Sequence, residues 1–285
     1  MDTLPAPNFG ATNTAWPAGN PPVATELIAA YASSTVAAGQ FVIHFGTEAP
    51  GTEWTSPSPP TWDALAAGVE QLAQLLERLM ADVYGAQHWL ARGVLPPALV
   101  QAQPGYLRAL HAALPVGARY LHLVACDLAC TPDGFWHVVG LGTQAPSGLA
   151  WLLHERLAPG FRGLRDTLLN PASDTNHLVL LTPGPYARAY GEHAALAQGL
   201  GLSLAQGCDL QVRRQRLVLN TLDGPVPVHG LIKMVDDAFI DPLELRADST
   251  LGVPGLVQLL RSNSLVVANR PGCAFLENPA LLAYL

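Results

Sequence analysis

Between His177 and Ala268, apolar segments stop abruptly at Gly, Pro and paired carboxylates, and this punctuation constrains the fold more than any other feature. The run reads LVLLTPGPYARAYGEH from Leu178, QGCDLQV from Gln206 and VDDAFIDPLELRADSTLGVPGL from Val235. Short apolar runs closed by turn residues read as buried strands. His177–Leu181 and Leu202–Leu204 are two of them, with a loop over Pro183–Tyr190 and a helix over Glu192–Leu200 between. Strand, loop, helix, strand is a βαβ unit, and a βαβ unit implies a parallel sheet. Ligands of such sheets bind outside the carboxyl ends of the strands, which is where the punctuating residues lie.

The rest of the chain supplies an N-terminal helical region and further strands. Residues 1–60 are rich in Pro, Gly, Ala, Ser and Thr and read as an irregular segment, with a short helix at Thr25–Ala32, a strand at Gln40–Phe45 and a loop over Ala49–Pro60. Leu65, Val69, Leu72, Leu75, Leu76, Leu79 and Val83 recur at three- and four-residue spacing, predicting a helix over Thr61–Ala91 with Thr61 at its start. A second helix is expected over Pro104–Leu114. From Ala118 onward the pattern is of strands and turns. Tyr120–Ala125 and Phe135–Val139 flank Pro132-Asp133-Gly134 as a hairpin. Gly140–Gly148 reads as a flexible loop before a helix near Leu149–Arg156. Gln211–Asn220 and Val226–Met234 flank Asp223-Gly224 as another hairpin. The fold class is α/β: an irregular segment (1–60), a helical region (61–117) and a mixed-sheet region (118–285).

Composition narrows the function. Hydrophobic residues make up 49% of the 285 residues and charged residues 13%, ample material for a core. No apolar run reaches the roughly eighteen residues of a membrane span. The N-terminus has neither a basic start nor a continuous apolar stretch, so cytosol is expected. Net charge is −7, and residues 1–100 hold eight acids against Arg78 and Arg92. A nucleic-acid binder needs clustered cations, so nucleic acid is excluded as the principal partner. Cys126, Cys130, Cys208 and Cys273 form no metal-cage or disulfide spacing and read as free thiols.

Several stretches, taken in order, resemble the circularly permuted ATP-grasp proteins, type 2, a family similar to glutathionylspermidine synthetase. They are ADVYGAQHWL, GVLPPALV, DLACTPDGFWHVV, TQAPSG, LLTPGP, Glu192-His193, Gly207 with Asp209-Leu210, and DPLELRADSTLGVPGL. The resemblance implies an ATP-dependent carboxylate–amine ligase scaffold. There ATP phosphorylates a carboxylate and an amine attacks the acyl phosphate, with ATP and Mg2+ as cofactors and small-molecule carboxylates and amines as substrates. It also implies departures from the pattern. Leu141-Gly142 stand where an acid is expected, and His154-Glu155-Arg156 where Glu-Asn-Arg is expected. Lys233-Met234 replace Arg-Arg, and Gln206 replaces a glutamate. With one lysine in the chain, Lys233, and an end at Leu285 inside an apolar segment, the chain is expected to be a C-terminally truncated, partly degenerate copy, inactive alone.

The residues then sort into roles. By the resemblance, Asp127 at a strand end is a catalytic group and the candidate metal ligand; a carboxylate steadying the hairpin turn is the plainer reading. Arg156, Asp236 and Asp237 join it as catalytic candidates. Thr143, Gln144, Ser147 and Gly148 could cradle an anion with backbone amides ahead of a helix, or form only a connection. Glu192 and His193 stand at a helix start, where the dipole alone favours a carboxylate. With Lys233 and Arg246 they complete the nucleotide- and substrate-binding set. Asp241 and Asp248 read as helix caps within the acidic run from Asp236. Two other classes stay open. One is an interaction protein pairing with a complete homologue or a separate C-terminal half through an apolar patch at Leu281–Leu285. The other is a small-molecule binding module without metal chemistry.

Overall fold

A computed structural model describes residues 40–44, 59–113, 118–131, 133–148, 164–165, 168 and 177–285. The expected helices at Thr25–Ala32 and Leu149–Arg156 lie outside these residues. Helix α1 runs Pro59–Val83. It begins at two prolines, whose missing N–H groups cost nothing in a first helical turn, so Thr61 lies inside the helix and is not its cap. Trp62, Val69, Ala73, Leu76, Leu79, Met80 and Val83 are buried. The expected stripe is rotated slightly, leaving Leu65, Leu72 and Leu75 half-exposed.

The expected continuation to Ala91 is broken by a side chain. The Asp82 carboxylate accepts from His88 N at 2.8 Å and Trp89 N at 2.9 Å, starting a separate short helix, α2 (His88–Ala91). The expected Pro104–Leu114 helix is reduced to a 3-10 turn at Arg108–Leu110. There the backbone bonds outward: Leu107 N donates to Tyr84 Oη at 2.9 Å and Ala112 N to Tyr84 O at 2.7 Å. Tertiary partners for these amides outcompete the helical ladder.

Three sheets follow. The first joins β1 (Gln40–His44), β2 (Leu123–Cys130) and β3 (Trp136–Gly142); β1 and β2 are parallel, and β2–β3 is the expected hairpin, with longer strands than expected. The second sheet holds β4 (Leu178–Leu181), β5 (Ser203–Ala205), β9 (Gly230–Lys233) and β10 (Val266–Ala268), in the order β10-β9-β4-β5, all parallel. Helix α3 (Tyr190–Leu200) links β4 to β5, so the βαβ unit read from the sequence is present. The third sheet is an antiparallel meander, β6 (Leu210–Arg213), β7 (Arg216–Thr221) and β8 (Gly224–Val228). The single strand expected over Gln211–Asn220 is thus two, turned by Arg214 and Gln215 at φ 49° and 59°.

Helix α4 is Leu256–Arg261, preceded by Pro254 and Gly255 (φ 83°). Its cap is remote. The buried Asp241 carboxylate accepts from Val257 N at 2.9 Å, Gly255 N at 3.2 Å and Leu243 N at 2.9 Å. Asp248, the other expected cap, pairs with Arg246 instead. Helix α5 (Pro279–Tyr284) closes the described chain, capped by Asn278. It buries Leu281, and Tyr284 Oη donates to Val94 O at 2.8 Å, so of the apolar patch expected there Ala283, Tyr284 and Leu285 are exposed.

Buried histidines make the fold acid-sensitive. His122 is pushed down to about 4, first by burial and then by Arg119, and burial lowers His193 as well. An unfolded histidine takes a proton near pH 6.5 that folded His122 refuses until about pH 4. The contribution of this group is therefore full above pH 6.5 and is lost as pH falls towards 4, on the order of 3 kcal/mol in all. Thermal melts across this window should show a falling Tm whose slope His122→Gln reduces.

Candidate functional site

The parallel sheet has one topological switch point. From β4 the chain moves outward through α3 to β5; from β9 it moves the other way through α4 to β10. The crevice between the carboxyl ends of β4 and β9 is where such sheets hold ligands. Its walls are the segment after Leu181, the segment after Lys233, and the loop after β3.

The segment after β4 carries a buried polar pair. Thr182 Oγ1 lies 2.9 Å from His193 Nδ1 and accepts from Gly184 N at 3.3 Å. The hydroxyl has a second lone pair and one proton, so the bond is made with either tautomer of the ring. Gly184 has φ 107°, and a Cβ there would collide with the Gln206 side chain at the end of β5.

After β9, the chain's one lysine is fully enclosed. Lys233 Nζ lies 2.8 Å from Asp237 Oδ1 and donates to Gln144 O at 2.7 Å and Val235 O at 2.9 Å. Asp237 Oδ2 accepts from Gly272 N at 2.7 Å, while Lys233 is the described partner of Oδ1. Two of the ammonium's three N–H groups go to backbone carbonyls, and Asp237 Oδ1 is its ion-pair partner at 2.8 Å without hydrogen-bond geometry. Asp237 N in turn donates to Gln144 Oε1 at 2.7 Å, and Gln144 Nε2 lies 3.4 Å from Asp236 Oδ1.

The loop after β3 is gripped by carboxylates at both ends. Thr143 N and Gln144 N each donate to Glu277 Oε1 at 2.6 Å, and Gly148 N donates to Glu192 Oε1. Asn269, just after β10, fixes the same loop: its Nδ2 donates to Thr143 O at 2.7 Å and to Leu123 O, while its Oδ1 accepts from His122 N and Leu123 N at 2.7 and 2.8 Å.

The structure therefore brings together Thr143, Gln144, Gly148, Glu192, His193, Lys233, Asp236 and Asp237 from the sequence-derived set. Ser147 is exposed in the same loop. Asp127 stands on β2, exposed, against Gly140, where a methyl group would lie 2.5 Å from Asp127 Oδ2. Arg246 is apart from the crevice, paired with Asp248 at 2.7 Å and 4.5 Å over the Phe239 ring. Arg156 lies outside the described residues. Asn269 and Glu277 were missed. Asn269 carries the same signal as the other strand ends, a polar residue closing an apolar run, and Glu277 sits just before the legible Asn278-Pro279 helix start.

Residues 58–285 match the family described as circularly permuted ATP-grasp type 2. The chain belongs to that family. Relatives with the same region include an uncharacterised protein of Mycobacterium tuberculosis, 38% identical over 249 residues, which cover 80% of this chain and 28% of the relative. One from a Synechocystis strain is 32% identical over 244 residues, 78% of this chain and 51% of its own. One from Mycobacterium leprae is 31% identical over 237 residues, 75% and 42%. The chain thus spans between 28% and 51% of the length of these relatives.

The ATP-grasp family generally binds ATP and Mg2+, and the crevice can be tested for fit. Among the described residues no three His, Cys, Asp or Glu side chains are grouped to hold a metal. Asp237 is committed to Lys233 and Gly272, and Asp127 and Asp236 stand as single exposed carboxylates. These residues do not make a metal cage on their own.

Breaking the enclosed pair tests how the β9 end is built. Lys233→Met strands the Asp237 carboxylate and should destabilise the chain by about 3–5 kcal/mol in urea unfolding. Adding Asp237→Asn to that variant should recover part of the loss, since the two side chains couple directly.

Proposed function

We propose that this chain contributes the sheet-end crevice of an ATP-dependent carboxylate–amine ligase, and that by itself it does not turn over ATP. In that chemistry ATP phosphorylates a carboxylate, and an amine then displaces phosphate from the acyl phosphate. Family membership supports the ligase class, with small-molecule carboxylates and amines as substrates. The switch-point crevice supports the location, because it gathers a buried Thr182–His193 pair, the amide-bearing loop at Thr143–Gly148 and the exposed Asp236 carboxylate.

The observation that carries the inactivity is the enclosure of Lys233 in a buried ion pair. Phosphoryl transfer needs cations or preorganised donors aimed at the charge developing on phosphate. Here the lysine donates to Gln144 O and Val235 O and is ion-paired with Asp237 in a buried site, so contacting a phosphate would mean breaking that pair. The His193 ring and the exposed Asp236 carboxylate remain to bind and orient a substrate, the Thr143, Gln144 and Gly148 amides being held by Glu277 and Glu192. Burial lowers the His193 pKa, so near pH 7 the ring adds no positive charge.

Calorimetric titration with ATP and Mg2+, with and without EDTA, alongside a phosphate-release assay, tests both halves. The expected result is binding that EDTA abolishes and no phosphate release above the protein-free background. Sustained release by the chain alone would overturn the inactivity. Binding indifferent to EDTA would replace ligase chemistry with a plain small-molecule binding module.

A further inference from the structure

Two adjacent backbone N–H groups that converge on one oxygen make a small anion seat, and such nests bind carboxylates and phosphates wherever they form. Thr143 N and Gln144 N make one, and the oxygen they hold is Glu277 Oε1, 2.6 Å from each. The Thr143 hydroxyl contributes little to the seat: it lies 3.3 Å from that oxygen but 3.0 Å from Cys273 O, its nearer acceptor. Glu277 belongs to a 3-10 turn (Ala274–Glu277) more than 130 residues further along the chain, and it is only half-buried. A carboxylate that can reach solvent is tied to the loop by one oxygen, at the loop that walls the crevice.

We propose that the Thr143–Gln144 amide pair is a seat for a small carboxylate monoanion, and that Glu277 is its built-in occupant, closing the seat until an external carboxylate displaces it. Naming that carboxylate as a ligase substrate rests on the function proposed above; the seat itself does not. The surroundings set the ligand class. The Gln144 peptide lies between opposite charges, its N–H on Glu277 and its C=O on Lys233 Nζ at 2.7 Å, and Asp237 balances that lysine. Asp236 lies 3.4 Å from the Gln144 side-chain amide, and Glu192 holds the other end of the loop. No described cation in this cluster is left to offset a second negative charge, so a monoanionic carboxylate fits where a phosphate dianion is repelled.

The test is anion rescue of the full chain, read by thermal melting in formate, acetate or phosphate against chloride at equal ionic strength. Glu277→Ala vacates the seat, and formate at roughly ten times its Kd should raise the variant's Tm by about 3 °C over chloride. Wild type should show no such rise. Neither should Glu277→Gln, whose side-chain carbonyl still accepts both N–H bonds. If Glu277→Ala does not fold in chloride, Glu277→Asp, one methylene too short to hold both amides, is read in the same way. A folded Glu277→Ala or Glu277→Asp that formate stabilises no more than it does wild type would overturn the seat. Phosphate outperforming formate would overturn the monoanion assignment. No nucleotide is present, so failure here is distinct from failure of the ligase reading.

Discussion

The end of β9 depends on one enclosed charge pair. Lys233 and Asp237 neutralise each other out of contact with water, and each also anchors backbone from another part of the chain: Lys233 holds Gln144 O, and Asp237 holds Gly272 N. An ion pair in a low-dielectric interior contributes little net stability once desolvation is counted, but removing one partner is severe. Its value is positional. Alongside the Glu277, Glu192 and Asn269 bonds to the loop after β3, the pair ties that loop, the turn after β9 and the turn after β10 into one unit. The same contact silences the lysine as a phosphate ligand. Scaffold and chemistry draw on the same charge, and the scaffold has it.

Around this pair, side chains repeatedly do what backbone ladders do elsewhere. Asp82 starts α2, Asp241 caps α4 across fourteen residues, Asn269 pins β2 and the loop after β3, and Glu77 accepts from Tyr120 N and Leu121 N at 2.8 Å each. Each carboxylate or amide terminates backbone that no helix or sheet satisfies. A chain rich in Pro and Gly has many such ends. The remedy is visible in where its few charged side chains sit: several are turned inward onto N–H groups.

This explains which parts of the fold could be read from sequence. Periodicity marks α1, the β2–β3 hairpin and the β4–α3–β5 unit, because burial acts along a contiguous stretch there. It fails at Asp82, where one side chain cuts a helix that its apolar stripe would continue. It fails again over Pro104–Leu114, where Tyr84 supplies partners that no local pattern reveals. At the crevice, residues at the ends of apolar runs were legible as a class. Their pairing was not. Asp237 looks like a free carboxylate in sequence and is half of an ion pair in space. Arg246 looks like a substrate cation and stacks on Phe239. The loop at Thr143–Gly148 reads in sequence as an anion cradle or a plain connection, and in space its amides face the protein's own Glu277 and Glu192.

The Asn269 amide also sets a timetable for biosynthesis. It accepts from His122 N, 147 residues earlier, and holds the start of β2 on one side and the loop after β3 on the other. A ribosome adding roughly 5–20 residues per second leaves those groups without their partner for roughly 7–30 s after they are made. Throughout that interval β2 has β1 and Glu77, both made earlier, and its own hairpin ladder, while the groups that Asn269 will hold are left to solvent.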